Sequence, residues 1–246
     1  MNEIIEALNA RKSVRVFEER PIGEAEKKAI LLAATAAPTA GNQQLYTILD
    51  IMDKALKDKL AITCDNQPFI AKAPMVLIFL ADVQKWYDAF ALAGASPRKP
   101  GAGDLLLAVS DANIAAQNAV TAAESLGIGS CYIGDVMERC EEHREMLNLP
   151  EYVFPAAMLV FGYPTEQQKE RRKPARSDLR YIVHANGYRR MDKAELSNMV
   201  GKAQDNWRFD EWMQAFCTRK YNSDFARELS RSVAAYLQAY VSEENP

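Results

Sequence analysis

Apolar residues recur at helical spacing in some stretches of this chain and form short continuous runs in others. Spacing of three and four residues is typical of helices with one buried face, and short runs bounded by turn residues are typical of buried strands. The predicted helices cover residues 2–10, 24–36, 53–60, 104–126 and 136–147. The predicted strands cover residues 45–52, 75–80 and 156–162. Helices and strands mostly alternate, which predicts an α+β or α/β sheet covered by helices.

The helix predicted over residues 104–126 is apolar on nearly all sides. Such a helix lies at the centre of a fold or in a subunit interface. Before it, residues 82–103 are mixed and irregular, and they end in a loop rich in Pro and Gly. After it, residues 128–134 form either a short strand or a turn.

The chain after Met191 has a helical pattern only, and Asn222-Ser223-Asp224 is a favourable N-cap for its last helix. No linker or low-complexity segment separates this tail from the rest. We therefore expect residues 1–190 to form one domain and residues 191–246 to form a helical extension. The extension would pack on the same domain or on a partner subunit.

Composition excludes several classes of function. The chain has 246 residues, of which 48% are hydrophobic and 26% charged, as in ordinary soluble proteins. Its formal net charge of −3 gives no field that would attract nucleic acid. The N-terminus lacks the pattern of a signal peptide, and apolar runs such as 75–80 are too short to span a bilayer. We expect a cytoplasmic protein that binds neither nucleic acid nor membrane.

Cysteine and histidine usage does not favour a metal site or a hydrolase. The four cysteines form no CxxC pair, and the two histidines are His143 and His184. His143 lies among charged residues that indicate a solvated helix face, and His184 follows a strand-like run over 181–183. Neither stands near a GxSxG motif. We expect free thiols in a reducing compartment and no bound metal.

The first candidate for chemistry is Arg11-Lys12-Ser13-Val14-Arg15. In an extended conformation Arg11, Ser13 and Arg15 point to one side of the chain, which suits an anionic, oxygen-rich ligand. A second basic cluster, residues 171–176, would allow a phosphate to be held from two ends of the chain. Both clusters are also compatible with exposed, solvated segments.

Two further segments combine small residues with carboxamides. In Pro38-Thr39-Ala40-Gly41-Asn42-Gln43-Gln44, small residues allow a flat ring to approach, and carboxamides can donate and accept at its edge. Asn66-Gln67 offers a second carboxamide pair, or is a plain loop. The glycine-dense segment 127–134 either reverses the chain or presents a backbone N–H to a ring nitrogen. It does not match a Rossmann fingerprint.

Taken in order, these segments resemble the signatures of the FMN-dependent nitroreductase superfamily, over about residues 3–186. The matching segments are Arg11-Lys12-Ser13-Val14-Arg15, Pro38-Thr39-Ala40-Gly41-Asn42-Gln43, Asn66-Gln67-Pro68-Phe69 before Ala73-Pro74, Ile114-Ala115-Ala116-Gln117-Asn118 with the glycine-dense segment, and Lys173-Pro174-Ala175-Arg176. The resemblance implies a mixed, mainly antiparallel sheet flanked by helices, of the α+β class. It also implies an intertwined homodimer with two FMN sites at its interface.

The resemblance assigns roles to particular residues. Arg11 and Arg176 would hold the FMN phosphate with Lys173 nearby, and Ser13 and Arg15 would meet the ribityl chain and pyrimidine edge. Residues 38–42 would reach the ring from the other subunit, Asn66 or Gln67 would also reach it, and the Ile133-Gly134 backbone would lie near N5. The full predicted cofactor-binding set is Arg11, Lys12, Ser13, Arg15, Pro38, Thr39, Ala40, Asn42, Asn66, Gln67, Tyr132, Ile133, Gly134, Lys173 and Arg176.

The function implied is a ping-pong oxidoreductase that uses FMN, takes a hydride from NAD(P)H and reduces nitroaromatic, quinone or similar acceptors. Because the flavin carries the chemistry, no catalytic side chain is expected. Two alternatives remain: another reaction on the same flavin, such as dehalogenation or enone reduction, and an FMN-binding protein with little turnover. Trp86, Tyr87 and Phe90 either stack on an acceptor or pack in the core. Arg98 and Lys99 either meet the 2′-phosphate of NADPH or belong to a solvated loop.

Overall fold

In the computed structural model, residues 2–201 and 208–241 are described. The helices are Glu3–Ala10 (α1), Glu24–Thr35 (α2), Lys54–Thr63 (α3), Pro68–Lys72 (α4), Gln84–Leu92 (α5), Ala102–Ser125 (α6), Cys140–Met146 (α7), Glu166–Glu170 (α8), Lys193–Val200 (α9), Phe209–Phe216 (α10) and Asp224–Val241 (α11). The strands are Tyr46–Asp50 (β1), Met75–Asp82 (β2), Gly129–Ile133 (β3) and Val153–Gly162 (β4).

The four strands form one sheet in the order β1-β2-β4-β3, and each neighbouring pair is antiparallel. Every residue of β2 and β4 is buried. Because both faces of these strands are buried, their sequences are continuous apolar runs rather than alternating ones. The predicted combination of a mainly antiparallel sheet with flanking helices is confirmed.

Helix α6 lies against β2 and β4, and α2 packs on α6. The buried face of α6 is rich in alanine, including Ala108, Ala112, Ala115 and Ala119, and these small side chains let the helix approach the sheet closely. Its other face exposes Leu106, Leu107 and Ile114 to solvent. The central helix therefore has an exposed apolar surface.

The N-terminal segment extends the sheet beyond β3. Ser13 forms a parallel bridge with Ser130, and Val14 N donates to Ser130 O at 2.9 Å. Val14 is buried against Gly129, where an added Cβ would stand 2.6 Å from Val14 Cγ2. Glycine at 129 is thus required by the close approach of this segment, which places Arg11, Ser13 and Arg15 at the open edge of β3.

Two predictions for residues 82–147 are wrong. Residues 84–92, expected to be irregular, form α5, whose Trp86 and Tyr87 pack against the core while Phe90 is exposed. The single helix expected over 136–147 is split into a 3-10 turn over Gly134–Met137 and α7. The break falls at Arg139, whose left-handed backbone (φ 49°) cannot continue a helix.

The described residues form two compact units, one of residues 2–171 with 228–241 and one of residues 172–201 with 208–227. In the first unit the 228–241 part of α11 is anchored by Ser232, whose Oγ donates to Met137 O at 2.7 Å. Tyr236 is fully buried and meets Phe154 edge to face.

The second unit contains α9 and α10, which Lys193 and Asp210 connect through an ion pair of 3.0 Å. Residues 179–181 form a 3-10 turn there, so the strand-like run expected before His184 is not a strand. Residues 202–207 and 242–246 of the predicted extension lie outside the described residues, and the domain boundary at residue 190 stays a prediction. No helix in the described part of the chain has the length and apolar character needed to cross a membrane.

Candidate functional site

Arg11 lies half-buried at the edge of β3. Its Nη2 donates to Ser130 Oγ at 3.5 Å, and its guanidinium stands 5.9 Å from the centre of the Tyr132 ring. Its Nε is buried and has no hydrogen-bond partner among the residues that the structure describes. Burial raises the pKa of Tyr132 to about 12, so its phenol stays protonated at neutral pH. The site therefore holds a cation with an unused donor, which suits a phosphate.

Lys12 connects the N-terminal segment to the chain at the end of α8. Its ammonium donates to Lys169 O and, at 2.6 Å, to Arg171 O. Arg171 in turn donates from Nη2 to Ser13 O at 3.0 Å. These bonds fasten the segment after α8 to the N-terminal strand, so Lys12 supports the position of its neighbours.

Arg15 is exposed, and its backbone N–H donates to Gln168 Oε1 at 3.3 Å. Its guanidinium lies 5.9 Å from the centre of the Phe69 ring in α4, which directly follows the loop after α3. In that loop Asn66 is exposed with a left-handed backbone (φ 51°), and Gln67 Nε2 donates to Cys64 O at 2.8 Å. The structure thus brings Arg15 and the carboxamide pair into one region.

The small-residue segment 38–44 is held by Asp111, a residue that sequence reasoning missed. Asp111 is buried in α6, and its carboxylate accepts from Ala40 N at 3.0 Å and from Leu45 N at 3.1 Å. Gly41 and Asn42 have left-handed backbones, as a tight turn of this kind requires. One sequence feature could have indicated this buried role: Asp111 lies at the same helical spacing as the alanines of α6 that form its buried face.

Lys173 and Arg176 belong to the second unit. Arg176 is exposed, and its Nη1 donates to Pro174 O at 3.3 Å.

The prediction that His143 lies on a solvated face is wrong, because its imidazole is fully buried. Its Nδ1 lies 2.9 Å from Val136 O and its Nε2 lies 2.8 Å from Thr63 Oγ1. Burial lowers the pKa of His143, which keeps the ring neutral. Ile133 ends β3, and Gly134 opens the turn to which Val136 belongs.

A cavity of about 350 Å³ opens beside the 38–44 segment. Trp86, Tyr87 and Phe90 line it, and Trp86 Nε1 donates to Gln43 O at 2.6 Å. Arg98 also lines it and makes two hydrogen bonds to Asp104, at 2.6 and 2.8 Å.

The described residues contain no group of three or more His, Cys, Asp or Glu side chains arranged to hold a metal ion.

Comparisons with known proteins agree on one family. The model of the Nitroreductase family matches residues 8–163. FMN reductase (NAD(P)H) of Bacillus subtilis (strain 168) is 32% identical over 97% of this chain and 92% of its own length. Oxygen-insensitive NADPH nitroreductase of Salmonella typhimurium is 33% identical over 80% of this chain and 79% of its own. The solved structure of B. megaterium NfrA2 matches with a TM-score of 0.81 and 29% identity, covering 99% of this chain and 100% of its own.

Proposed function

This chain belongs to the nitroreductase family, and we propose that it is an FMN-dependent oxidoreductase that takes a hydride from NAD(P)H and reduces electron-poor acceptors. The observation that carries the proposal is the buried, unused Nε donor of Arg11 at the edge of β3. A buried donor without an acceptor is costly, and the phosphate of FMN would satisfy it.

The residues fit the remaining parts of FMN. Ser13 and Arg15 supply a hydroxyl and a guanidinium for the ribityl chain and pyrimidine edge. Asn66 and Gln67 supply carboxamides, and the backbone of Ile133 and Gly134 supplies N–H groups. These residues supply hydrogen-bond donors and acceptors and do not include an acid–base pair. This matches a site that only has to bind and orient its cofactor.

Bound FMN supplies the hydride chemistry, as flavins do in general. The chain's own contribution is to hold the cofactor and to place the acceptor beside it. Lys173 and Arg176 are the proposed second contacts to the phosphate. Because the NAD(P)H pool is intracellular, we also propose a cytoplasmic location.

A homodimer completes the proposed site. Leu106 and Ile114 on α6 are 67% and 40% exposed, and Ile4 and Leu8 on α1 are exposed as well. Apolar surface of this kind favours an interface with a second copy, which would cover the central helix. The second copy would bring its own 38–42 segment to the flavin ring.

The aromatic cavity beside the 38–44 segment supports a flat acceptor such as a nitroaromatic or a quinone. Trp86 and Phe90 offer ring faces for stacking, and their centroids are 5.7 Å apart. The bond from Trp86 to Gln43 joins this cavity to the segment proposed to contact the flavin. Arg98 is already paired with Asp104, so a 2′-phosphate of NADPH would have to compete with that carboxylate.

Steady-state kinetics of the FMN-loaded protein test the proposal. Initial rates are measured with NADPH and with NADH at several concentrations of a quinone and of a nitroaromatic. Parallel double-reciprocal lines are expected, since donor and acceptor use one site in turn. Intersecting lines would reject the ping-pong order. Tight FMN binding with negligible rates for every pair would instead favour a flavin-binding protein with little turnover.

A further inference from the structure

We propose that His143 is a positioning residue that fixes the spacing between the two backbone segments flanking the flavin ring. The inference rests on the proposed function, which assigns Asn66-Gln67 and Ile133-Gly134 to that ring. His143 itself is fully buried, so it acts through these segments.

The hydrogen bonds of the imidazole define its state. Val136 O can only accept, so His143 Nδ1 carries the proton and donates to it over 2.9 Å. The bare Nε2 then accepts from the hydroxyl of Thr63 over 2.8 Å. A neutral ring in this tautomer uses both edges at once, and its rigidity fixes the separation of its two partners.

The two partners each stand next to a proposed flavin segment. Val136 lies in the Gly134–Met137 turn, two residues after Gly134. Thr63 is the last residue of α3, and the chain then passes through Asp65 (φ 60°) and Asn66 (φ 51°) to reach Gln67. The imidazole therefore joins the turn after β3 to the turn after α3.

Separate hydrogen bonds hold the start of helix α7, which carries His143. Cys140, the first residue of α7, donates from its backbone N–H to Ser232 Oγ at 2.8 Å. Ser232 Oγ also donates to Met137 O at 2.7 Å. Helix α7 is thus anchored at its start, and His143 cannot shift without displacing Val136 or Thr63.

A double-mutant cycle separates positioning from simple packing. An Asn side chain at 143 can still donate to Val136 O but does not reach Thr63, so His143→Asn breaks one connection. Thr63→Val breaks the same connection from the other side, and Thr63→Ser keeps the hydroxyl. Ile30→Val, a buried packing change in α2, is the matched control for lost stability.

The measurements are the FMN dissociation constant, the flavin midpoint potential and amide hydrogen exchange of residues 134–137 in FMN-free protein. We expect His143→Asn and Thr63→Val each to weaken FMN binding about 10-fold, to shift the potential and to speed exchange. The double variant should be no worse than either single one, because both remove one connection. Thr63→Ser and Ile30→Val should keep the dissociation constant within about twofold of the parent.

Unchanged FMN affinity, potential and exchange in both His143→Asn and Thr63→Val would overturn the inference. Fully additive effects of the two substitutions would overturn it too. Either outcome leaves the proposed function standing, provided that the parent protein binds FMN and turns over. A parent protein that binds no FMN would defeat the proposed function itself, and exchange in the FMN-free variants would still report on the connection.

Discussion

Val14 lies directly on the backbone of Gly129: a Cβ at position 129 would stand 2.6 Å from Val14 Cγ2 and 2.9 Å from Val14 Cβ. The same arrangement recurs one strand further, where a Cβ at Gly162 would stand 2.6 Å from Phe17 Cδ1. Two glycines on neighbouring strands thus allow the N-terminal segment to lie on the sheet. That seating places Arg11 and Ser13 beside Ser130.

Gly129→Ala should lower the free energy of unfolding by about 1–3 kcal/mol, since the new methyl group overlaps Val14. It should also weaken FMN binding, because Arg11 and Ser13 would shift with Val14. Val14→Ala in the same chain should restore part of the FMN affinity by removing the overlapping methyl groups. Urea denaturation and FMN titration check both points, and an unperturbed Gly129→Ala protein would show that the contact is not close.

Arg11→Lys keeps the charge but loses the fork of donors that a phosphate can accept. We expect about 10-fold to 100-fold weaker FMN binding, the equivalent of one lost charged hydrogen bond. Arg227→Lys is the matched control, because Arg227 is an exposed cation paired at 3.8 Å with Asp224. Fluorescence titration with FMN measures both variants. Equal losses of FMN affinity in the two would mean that the Arg11 position has no special role in binding.

Asp111→Asn should destabilise the protein by about 1–3 kcal/mol, because one of two buried backbone N–H groups loses its acceptor. The 38–44 segment would loosen, so the rate of acceptor reduction should fall as well. Asp88→Asn serves as the matched change, since the exposed Asp88 carboxylate accepts from the Gln84 side chain one turn earlier in α5. Urea denaturation gives the free energy of unfolding of both proteins. Similar small decreases in that free energy would contradict a role for Asp111 in holding the segment.

Trp86→Phe keeps an aromatic ring but removes the N–H that bonds Gln43 O. We expect KM for a quinone acceptor to rise about threefold to tenfold, since one hydrogen bond holds that wall of the cavity. The control is Trp212→Phe in α10, where Trp212 stacks on Phe216. A KM that stays unchanged in Trp86→Phe would place the acceptor elsewhere.

Glu138 makes the stability depend on pH. Its burial, with the nearby Asp135, Asp65 and Glu228 outweighing Arg139, raises the pKa of Glu138 from its usual 4.5 to about 7. The unfolded chain therefore releases this proton at lower pH than the folded one. The free energy of unfolding should fall as pH rises from about 5 to about 7, and the loss should persist above it.

Glu138→Gln should remove that component, so its stability relative to the parent should increase between pH 5 and pH 8. Thermal unfolding across this pH range measures the difference. Glu145→Gln, at an exposed position of α7, provides the comparison. Parallel pH curves for the parent and Glu138→Gln would contradict the raised pKa.

The sheet could be predicted because its central strands are buried on both faces and therefore read as unbroken apolar runs. Helix α5 could not be predicted, because it is short and its aromatic residues are followed by a loop rich in alanine, glycine and proline. For His143, the flanking residues 141, 142, 144 and 145 are charged and indicate solvent. Only its position three residues after Cys140, which is buried, indicates that His143 is buried as well.

Segments of the candidate site could be predicted where residue type alone carries the chemistry, as in Arg11, Ser13 and the carboxamides. The roles of Asp111 and Thr63 could not be predicted, because their partners are distant in sequence. Asp111 accepts from the backbone N–H groups of Ala40 and Leu45, and Thr63 bonds the imidazole of His143. Their partners become visible only when α6 meets the 38–44 segment and when α7 meets the end of α3. Supporting residues of this kind form no recognisable sequence motif, because their role depends on which segments pack together in the fold.

The most direct measurement is the visible absorption of the purified protein with FMN, before and after NADPH or NADH is added without oxygen. We expect protein-bound oxidised flavin that bleaches within seconds with at least one donor and recovers its colour on addition of a quinone. A flavin spectrum that persists with both donors would contradict the proposed reductase. Failure to bind added FMN would show that the Arg11 region is not a flavin site.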